Sequence, residues 1–368
     1  GQGFSLQQPQ DKVSVDAGET LILNCTISGT AGAGPVRWLK GWGDGNKTIY
    51  DQKTWTPSSR VMRALDKSNT DFTIHVGNVQ PEDMGTYYCA KFVRSDSGVD
   101  EVSQRGRGTE VSVQAKPSPP LVSGPEQRAE PGQSVPFTCT TGGFFPETIG
   151  VKWFKNRNPM GAQPPQITKG GVETYSMNST VMVTLHKDDV HSLLTCEVQH
   201  STLQTPLRGS YRLSRVLRVP PITEVRAEPS LVEVNKTVTF TCLVKEFYPA
   251  NVSVSWLENG TEIKVENVSR PSELPRGLFA LRSQVEVQAT EEKNGSTIAC
   301  VVVHDAQAPA NSSAFLRISN PGQGGLSKGF QMDKGENLLS SLVLLCLCIL
   351  LEKGLFGGLL FFLFRRMK

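Results

Sequence analysis

Three times along this chain of 368 residues, a cysteine set in an alternating apolar stretch is followed 13 or 14 positions later by a tryptophan and then by a second cysteine. The sets are Cys25, Trp38 and Cys89; Cys139, Trp153 and Cys196; and Cys242, Trp256 and Cys300. Within each set the cysteines stand 64, 57 and 58 positions apart. Zinc sites are usually built from closely spaced ligand pairs, so these wide intervals point to three disulfides rather than to metal. Disulfides persist in oxidising compartments, which directs the chain to the secretory route. The remaining two cysteines, Cys346 and Cys348, lie in an apolar run and share neither the spacing nor the tryptophan.

In a sandwich of two antiparallel sheets of the immunoglobulin kind, such residues fall on strands B, C and F, with the tryptophan packed on the inter-sheet disulfide. Stretches such as Thr20-Leu21-Ile22-Leu23-Asn24-Cys25 and Val238-Thr239-Phe240-Thr241-Cys242 alternate as strands with one buried face do. The expected fold class is all-β: three tandem immunoglobulin-like sandwiches plus a single transmembrane α-helix. Tyr87 stands two places before Cys89, where a tyrosine-corner residue belongs. Gly106-Arg107-Gly108-Thr109 resembles the last-strand bulge of variable-type domains, and the longest cysteine interval leaves room for two extra strands. Domains two and three share a pattern instead. Gly143-Phe144-Phe145-Pro146 with Cys196 to His200 is echoed by Glu246-Phe247-Tyr248-Pro249 with Cys300 to His304, and both read as constant-type domains of the first class. The domains are assigned to residues 1–115, 116–219 and 220–318. Their joints carry Pro117, Pro119 and Pro120, then Pro220 and Pro221, and are expected to be extended and fairly stiff.

Residues 319–337 are glycine-bearing and polar with no apolar period, the composition of a flexible stalk. Residues 338–364 are almost wholly apolar and, at about 1.5 Å per residue, long enough to cross a bilayer as one helix. The basic residues Arg365, Arg366 and Lys368 follow it, so residues 365–368 are assigned to the cytoplasm and the sandwiches to the outside. A type I plasma-membrane protein results. The chain opens Gly1-Gln2-Gly3 without a leader, and its numbering is expected to be that of a mature chain. Acceptor triplets for N-linked glycans support the same route and occur at Asn46, Asn178, Asn235, Asn251, Asn259, Asn267, Asn294 and Asn311. A further triplet, at Asn24, immediately precedes Cys25 in a strand expected to be buried, and is set aside.

Lys353 lies within the membrane run, beside Glu352. A charge there costs about 2.5–3.5 kcal/mol on insertion scales, and in a lone helix it marks a partner helix offering carboxylates. Neighbouring positions on a helix do not face one another, so Glu352 neutralises Lys353 poorly. Gly354 and Gly358 would let another helix approach closely. The last tyrosine is Tyr248, on the extracellular side, so signalling is expected to be borrowed from the partner.

Recognition is expected at the exposed end of the first domain, where the loops that correspond to hypervariable ones gather. Gly29, Thr30 and Ala31 stand in one such loop, Gln52 and Lys53 in a second, Lys67 in a third, and Val93, Arg94, Ser95, Asp96 and Asp100 in a fourth. No catalytic residues, metal ligands or cofactors are assigned. The five histidines show no metal-ligand spacing, and no phosphate-cradling loop or nucleophile elbow is present. With 38 basic against 35 acidic residues and no long basic run ahead of the last four positions, nucleic acid is not an expected partner.

Gly34-Pro35-Val36-Arg37-Trp38, Ile49-Tyr50-Asp51-Gln52-Lys53, Thr86-Tyr87-Tyr88-Cys89-Ala90-Lys91-Phe92, Gly108-Thr109-Glu110-Val111-Ser112-Val113 and Ala115-Lys116-Pro117-Ser118 together resemble the signal-regulatory protein family. The resemblance covers the whole extracellular part. Inhibitory members have long tyrosine-bearing tails, whereas beta-type activating members have a short tail and a membrane lysine, and this chain looks like the latter. The resemblance implies that Lys353 pairs with aspartates of a dimeric, ITAM-bearing transmembrane adaptor, although Glu352 departs from the family's pattern. It also implies an immune receptor for a cell-surface or protein ligand that the sequence does not name. Inhibitory members bind the integrin-associated protein through first-domain loops. Those loops differ here, and beta-type members generally lack such binding, so the same is expected of this chain. The rival reading is an adhesion or decoy receptor that tolerates Lys353 without an adaptor.

Overall fold

The computed structural model describes residues 3–56, 60–171, 173–265 and 270–319. Asn267, Lys353, the expected membrane helix and tail, and all of the expected stalk except Ser319 lie outside the described residues. Among the described residues, no helix is long and apolar enough to cross a membrane.

The first domain is built from β1 (Ser5–Gln7), β2 (Lys12–Asp16), β3 (Leu21–Leu23), β4 (Thr26–Ser28), β5 (Val36–Lys40), β6 (Lys47–Asp51), β7 (Val61–Arg63), β8 (Ile74–Val76), β9 (Gly85–Arg94), β10 (Asp100–Arg105) and β11 (Thr109–Gln114). One sheet runs β2-β11-β9-β5-β6 with β10 beside β9; facing it are the β3-β8-β7 sheet and the β1-β4 pair. Alternation drives this arrangement: Leu21 and Leu23 on β3, Ile74 and Val76 on β8, and Val111 and Val113 on β11 all turn into one core. Trp38 is fully buried there with the Cys25–Cys89 disulfide, and its indole N–H donates to Phe72 O at 2.8 Å. Tyr87 closes the expected corner, its hydroxyl donating to Asp83 O at 2.8 Å.

Two expectations for this domain are refined by local chemistry. At the expected last-strand bulge, Gly106 and Gly108 lie against neighbours that a side chain would displace. A Cβ on Gly106 would lie 2.0 Å from Gln8 Oε1, and one on Gly108 2.7 Å from Tyr88 Cε1. Of the two extra strands, only β6 is found among the described residues. After Asp51 the chain turns instead: Asp51 Oδ1 accepts from Lys53 N–H at 2.8 Å, Asp51 O accepts from Trp55 N–H at 2.9 Å, and the Trp55 indole donates to Val61 O at 2.7 Å.

The second and third domains repeat one plan. In each, two four-stranded antiparallel sheets enclose a disulfide, Cys139–Cys196 and Cys242–Cys300, and a buried tryptophan. Where Trp38 uses a backbone carbonyl, Trp153 donates to Ser179 Oγ at 2.9 Å and Trp256 to Ser283 Oγ at 3.0 Å. At the far end of the third domain, Ile318–Ser319 pairs in parallel with Val232–Glu233.

Both joints are packed, and by the same device. Ala115 and Phe145 exchange backbone hydrogen bonds of 3.0 Å each, and Val219 and Tyr248 exchange bonds of 2.8 and 3.0 Å. The second joint goes further. Leu278 of the third domain is 4% exposed and belongs to the core of the second. Arg128 forms an ion pair with Asp305 at 3.7 Å, and Lys187 with Glu246 at 3.2 Å.

Candidate functional site

The loop end of the first domain is organised by hydrogen bonds between the segment after β4 and the β9–β10 hairpin. Phe92 N–H donates to Pro35 O at 2.9 Å and Arg94 N–H to Ala33 O at 3.1 Å, while the Lys91 ammonium caps Gly34 O. This closeness demands a glycine. At Gly34, φ is +153°, and a Cβ would lie 2.3 Å from Phe92 O. Val93 and Arg94 belong to β9 and Asp100 to β10, so the loop proper narrows to residues 95–99. Its turn is closed by Ser95 N–H to Val99 O at 2.9 Å and Gly98 N–H to Ser95 O at 2.9 Å. Val99 stands 61% exposed at this tip.

Beneath the tip lies a charge cluster that ties three strands. Arg37 on β5 donates through Nε to Asp51 Oδ2 on β6 at 2.6 Å, and through Nη2 to Asp100 Oδ2 on β10 at 2.7 Å. Lys53 approaches the same carboxylate at 3.1 and 3.2 Å. Hydrogen bonding from Lys53, reinforced by the charges of Lys53 and Arg37, holds the Asp100 carboxyl below its ordinary range. The Arg37 guanidinium also lies 4.4 Å from the Phe92 ring centroid, a cation–π arrangement. Two of the expected binding residues, Lys53 and Asp100, are thereby joined. Arg37 and Asp51, which hold them together, stand within the family-like motifs but not among the expected contact residues.

The other expected residues divide by role. Gln52 is exposed, but its side chain accepts from Val36 N–H at 3.0 Å and so anchors the start of β5. Gly29 and Thr30 are exposed, Ala31 is half-buried, and Gly29 adopts φ +80°. Arg94 reaches back to Gly98 O at 3.3 Å, and Asp96 is exposed at the tip. Lys67 is exposed on the turn before β8, which joins the β4 region through Ile27 N–H to Thr70 O at 2.7 Å; no described contact links it to the Arg37 cluster. The acceptor asparagines Asn46, Asn178, Asn235, Asn251, Asn259, Asn294 and Asn311 are all exposed. Among the described residues, no group of three His, Cys, Asp or Glu side chains is arranged to hold a metal. His200 and His304, each four residues after a cysteine, face Pro146 O at 2.8 Å and Pro249 O at 2.9 Å.

Residues 7–114 match the immunoglobulin V-set domain family, and residues 121–203 and 225–307 match the immunoglobulin C1-set domain family. Human signal-regulatory protein beta-1 is 40% identical over 316 residues, an alignment covering 85% of this chain and 79% of that protein. The chain belongs to the signal-regulatory protein family. Bovine tyrosine-protein phosphatase non-receptor type substrate 1 is 42% identical over 320 residues, covering 85% of this signal-regulatory protein and 62% of the bovine one. The chain therefore spans about three-fifths of the length of that relative. Among solved structures, the mouse nectin-like molecule 4 ectodomain overlaps with a TM-score of 0.46 at 18% identity, covering 87% of this chain and all of that one. As a signal-regulatory protein, the chain is an immunoglobulin-domain receptor of the cell surface.

Proposed function

We propose that this signal-regulatory protein is a beta-type activating receptor. It binds a protein ligand on another cell through the loop end of its first domain, and it signals through an ITAM-bearing adaptor dimer paired to Lys353. Overall similarity does not choose between receptor types, because the beta-1 relative and the phosphatase-substrate relative are 40% and 42% identical. The observation that carries the reading is Lys353 inside the apolar run of residues 338–364, since a costly charge in a lone helix with no pathway to serve favours a partner helix offering carboxylates. In this reading the run crosses the membrane once, with the three domains outside.

The rigid Arg37 cluster supports ligand binding at this end, because pre-ordered side chains lose less entropy on association. The proposed contact residues are Gly29, Thr30, Ala31, Gln52, Lys53, Lys67, Val93, Arg94, Ser95, Asp96 and Asp100. Glu352 favours one rival, an adhesion or decoy receptor without an adaptor. Co-immunoprecipitation in mild detergent separates the two. If wild type captures an ITAM adaptor and reaches the surface with it while Lys353→Ala does neither, the activating reading stands. If neither protein captures it, the rival replaces it.

A further inference from the structure

The triplet Asn24-Cys25-Thr26 was set aside as buried, and the structure reverses the reason. Leu21 and Leu23 of β3 turn into the core and Ile22 turns out; the same alternation carries Asn24 outward as Cys25 enters its disulfide. Asn24 occupies the break between β3 and β4, where its backbone N–H donates to Gln10 Oε1 at 2.7 Å. The residue is half-buried, and Thr26 is exposed. Its side-chain amide makes no hydrogen bond among the described residues, yet the only buried side-chain nitrogens without partners there are Nε of Arg63 and of Arg218. The Asn24 amide therefore reaches solvent unengaged.

We propose that Asn24 carries an N-linked glycan lying over the outer face of the β3-β8-β7 sheet. In the transfer, Asn24 Nδ2 bonds to the anomeric carbon of a lipid-pyrophosphate-linked oligosaccharide. The carbon–oxygen bond to the pyrophosphate breaks, and the amide proton passes to the transferase's base. Two further observations support the site. The same face exposes an apolar row, with Ile22 (45% exposed) and Met62 (52% exposed) flanking His75 in register, which the apolar faces of sugar rings can cover. The adjacent Cys25 also cannot close its disulfide until Cys89 follows, 64 residues later. At about 5–20 residues per second that leaves the triplet open for about 3–13 s during synthesis. This glycan would leave the loop end and the β5-β6-β9-β10 face as the accessible ligand side, whether or not Lys353 engages an adaptor.

The test is made on the full chain expressed behind a secretory leader in mammalian cells. The protein is reduced, alkylated, digested with trypsin and treated with peptide:N-glycanase in ¹⁸O-water. The peptide of residues 13–37 holds Asn24 as its sole acceptor. It is expected as the ¹⁸O-labelled aspartate form with loss of the unmodified form, and Thr26→Ala is expected to remove one glycan step in gel mobility that Thr26→Ser retains. An unlabelled Asn24 peptide, from a digest whose Asn46 peptide is labelled, overturns the proposal. The wild-type peptide decides the matter even where a variant misfolds.

Discussion

Replacing Leu278 by alanine is expected to loosen the second and third domains from each other while leaving the sandwich of the third intact. Leu278 is donated by the third domain to the core of the second, where it is 4% exposed, and Leu274 and Tyr248 pack against the same core. Truncating a buried leucine to alanine costs about 2.7–5 kcal/mol where the cavity persists, and less where the site can collapse. The joint lies at a domain surface and can close partly, so the expected loss is about 2–3 kcal/mol. At about 4–8 °C per kcal/mol for domains of this size, the affected transition falls by about 8–24 °C. Calorimetry of the three-domain ectodomain reads this directly: wild type melts its second and third domains together, and the variant separates them. Leu281→Ala is the control, because Leu281 belongs to the third domain's own core at 7% exposure. If Leu278→Ala melts like wild type while Leu281→Ala is destabilised, the joint is not held by this contact.

Two further perturbations read the first domain and the second joint. Gly34→Ala is expected to cost about 1–3 kcal/mol, since it adds a clash to a positive φ. Gly18→Ala, at φ +89° with open space around it, should cost less, and equal losses in urea unfolding would refute the clash argument. Burial in the second joint lowers the His304 pKa from about 6.5, against the pull of the Pro249 carbonyl and Asp305 and with the help of Arg218 and Arg128. The unfolded chain then binds the proton first as pH falls, so stability contributed by neutral His304 is present above about 6.5 and declines below it. His304→Gln should flatten the fall in unfolding midpoint between neutral pH and about pH 5; an unchanged slope assigns the effect elsewhere.

What could be read from the residues alone follows their range of action. Cys–Trp–Cys spacing and Tyr87 before Cys89 report a covalent bond and a corner that the strand period brings together, and both are found. The Arg37 clamp escaped because Asp51 and Asp100 lie 14 and 63 positions from it, and only the pairing of β5 with β6 and β9, and of β9 with β10, gathers them. Leu278 carried no signal either, since nothing in Gly277-Leu278-Phe279 says which domain it will enter. That no second extra strand is found among the described residues was nearer to hand: Asp51 followed by Gln52-Lys53-Thr54 is turn chemistry, in which an aspartate caps its own backbone two residues on. Asn24 was legible too, because the alternation that buries Leu23 and Cys25 must expose the residue between them.

The reciprocal backbone pairs at Ala115–Phe145 and Val219–Tyr248 have a mechanical meaning. In the proposed function a ligand on an opposing cell would pull on the first domain, and the load would have to pass both joints to reach the anchor. At each joint it would meet a reciprocal pair of backbone hydrogen bonds, backed at the second by the Arg128–Asp305 and Lys187–Glu246 ion pairs. If the proposed anchor and ligand hold, joints closed in this way would pass tension along the chain, and such a receptor would register being tugged as well as being occupied.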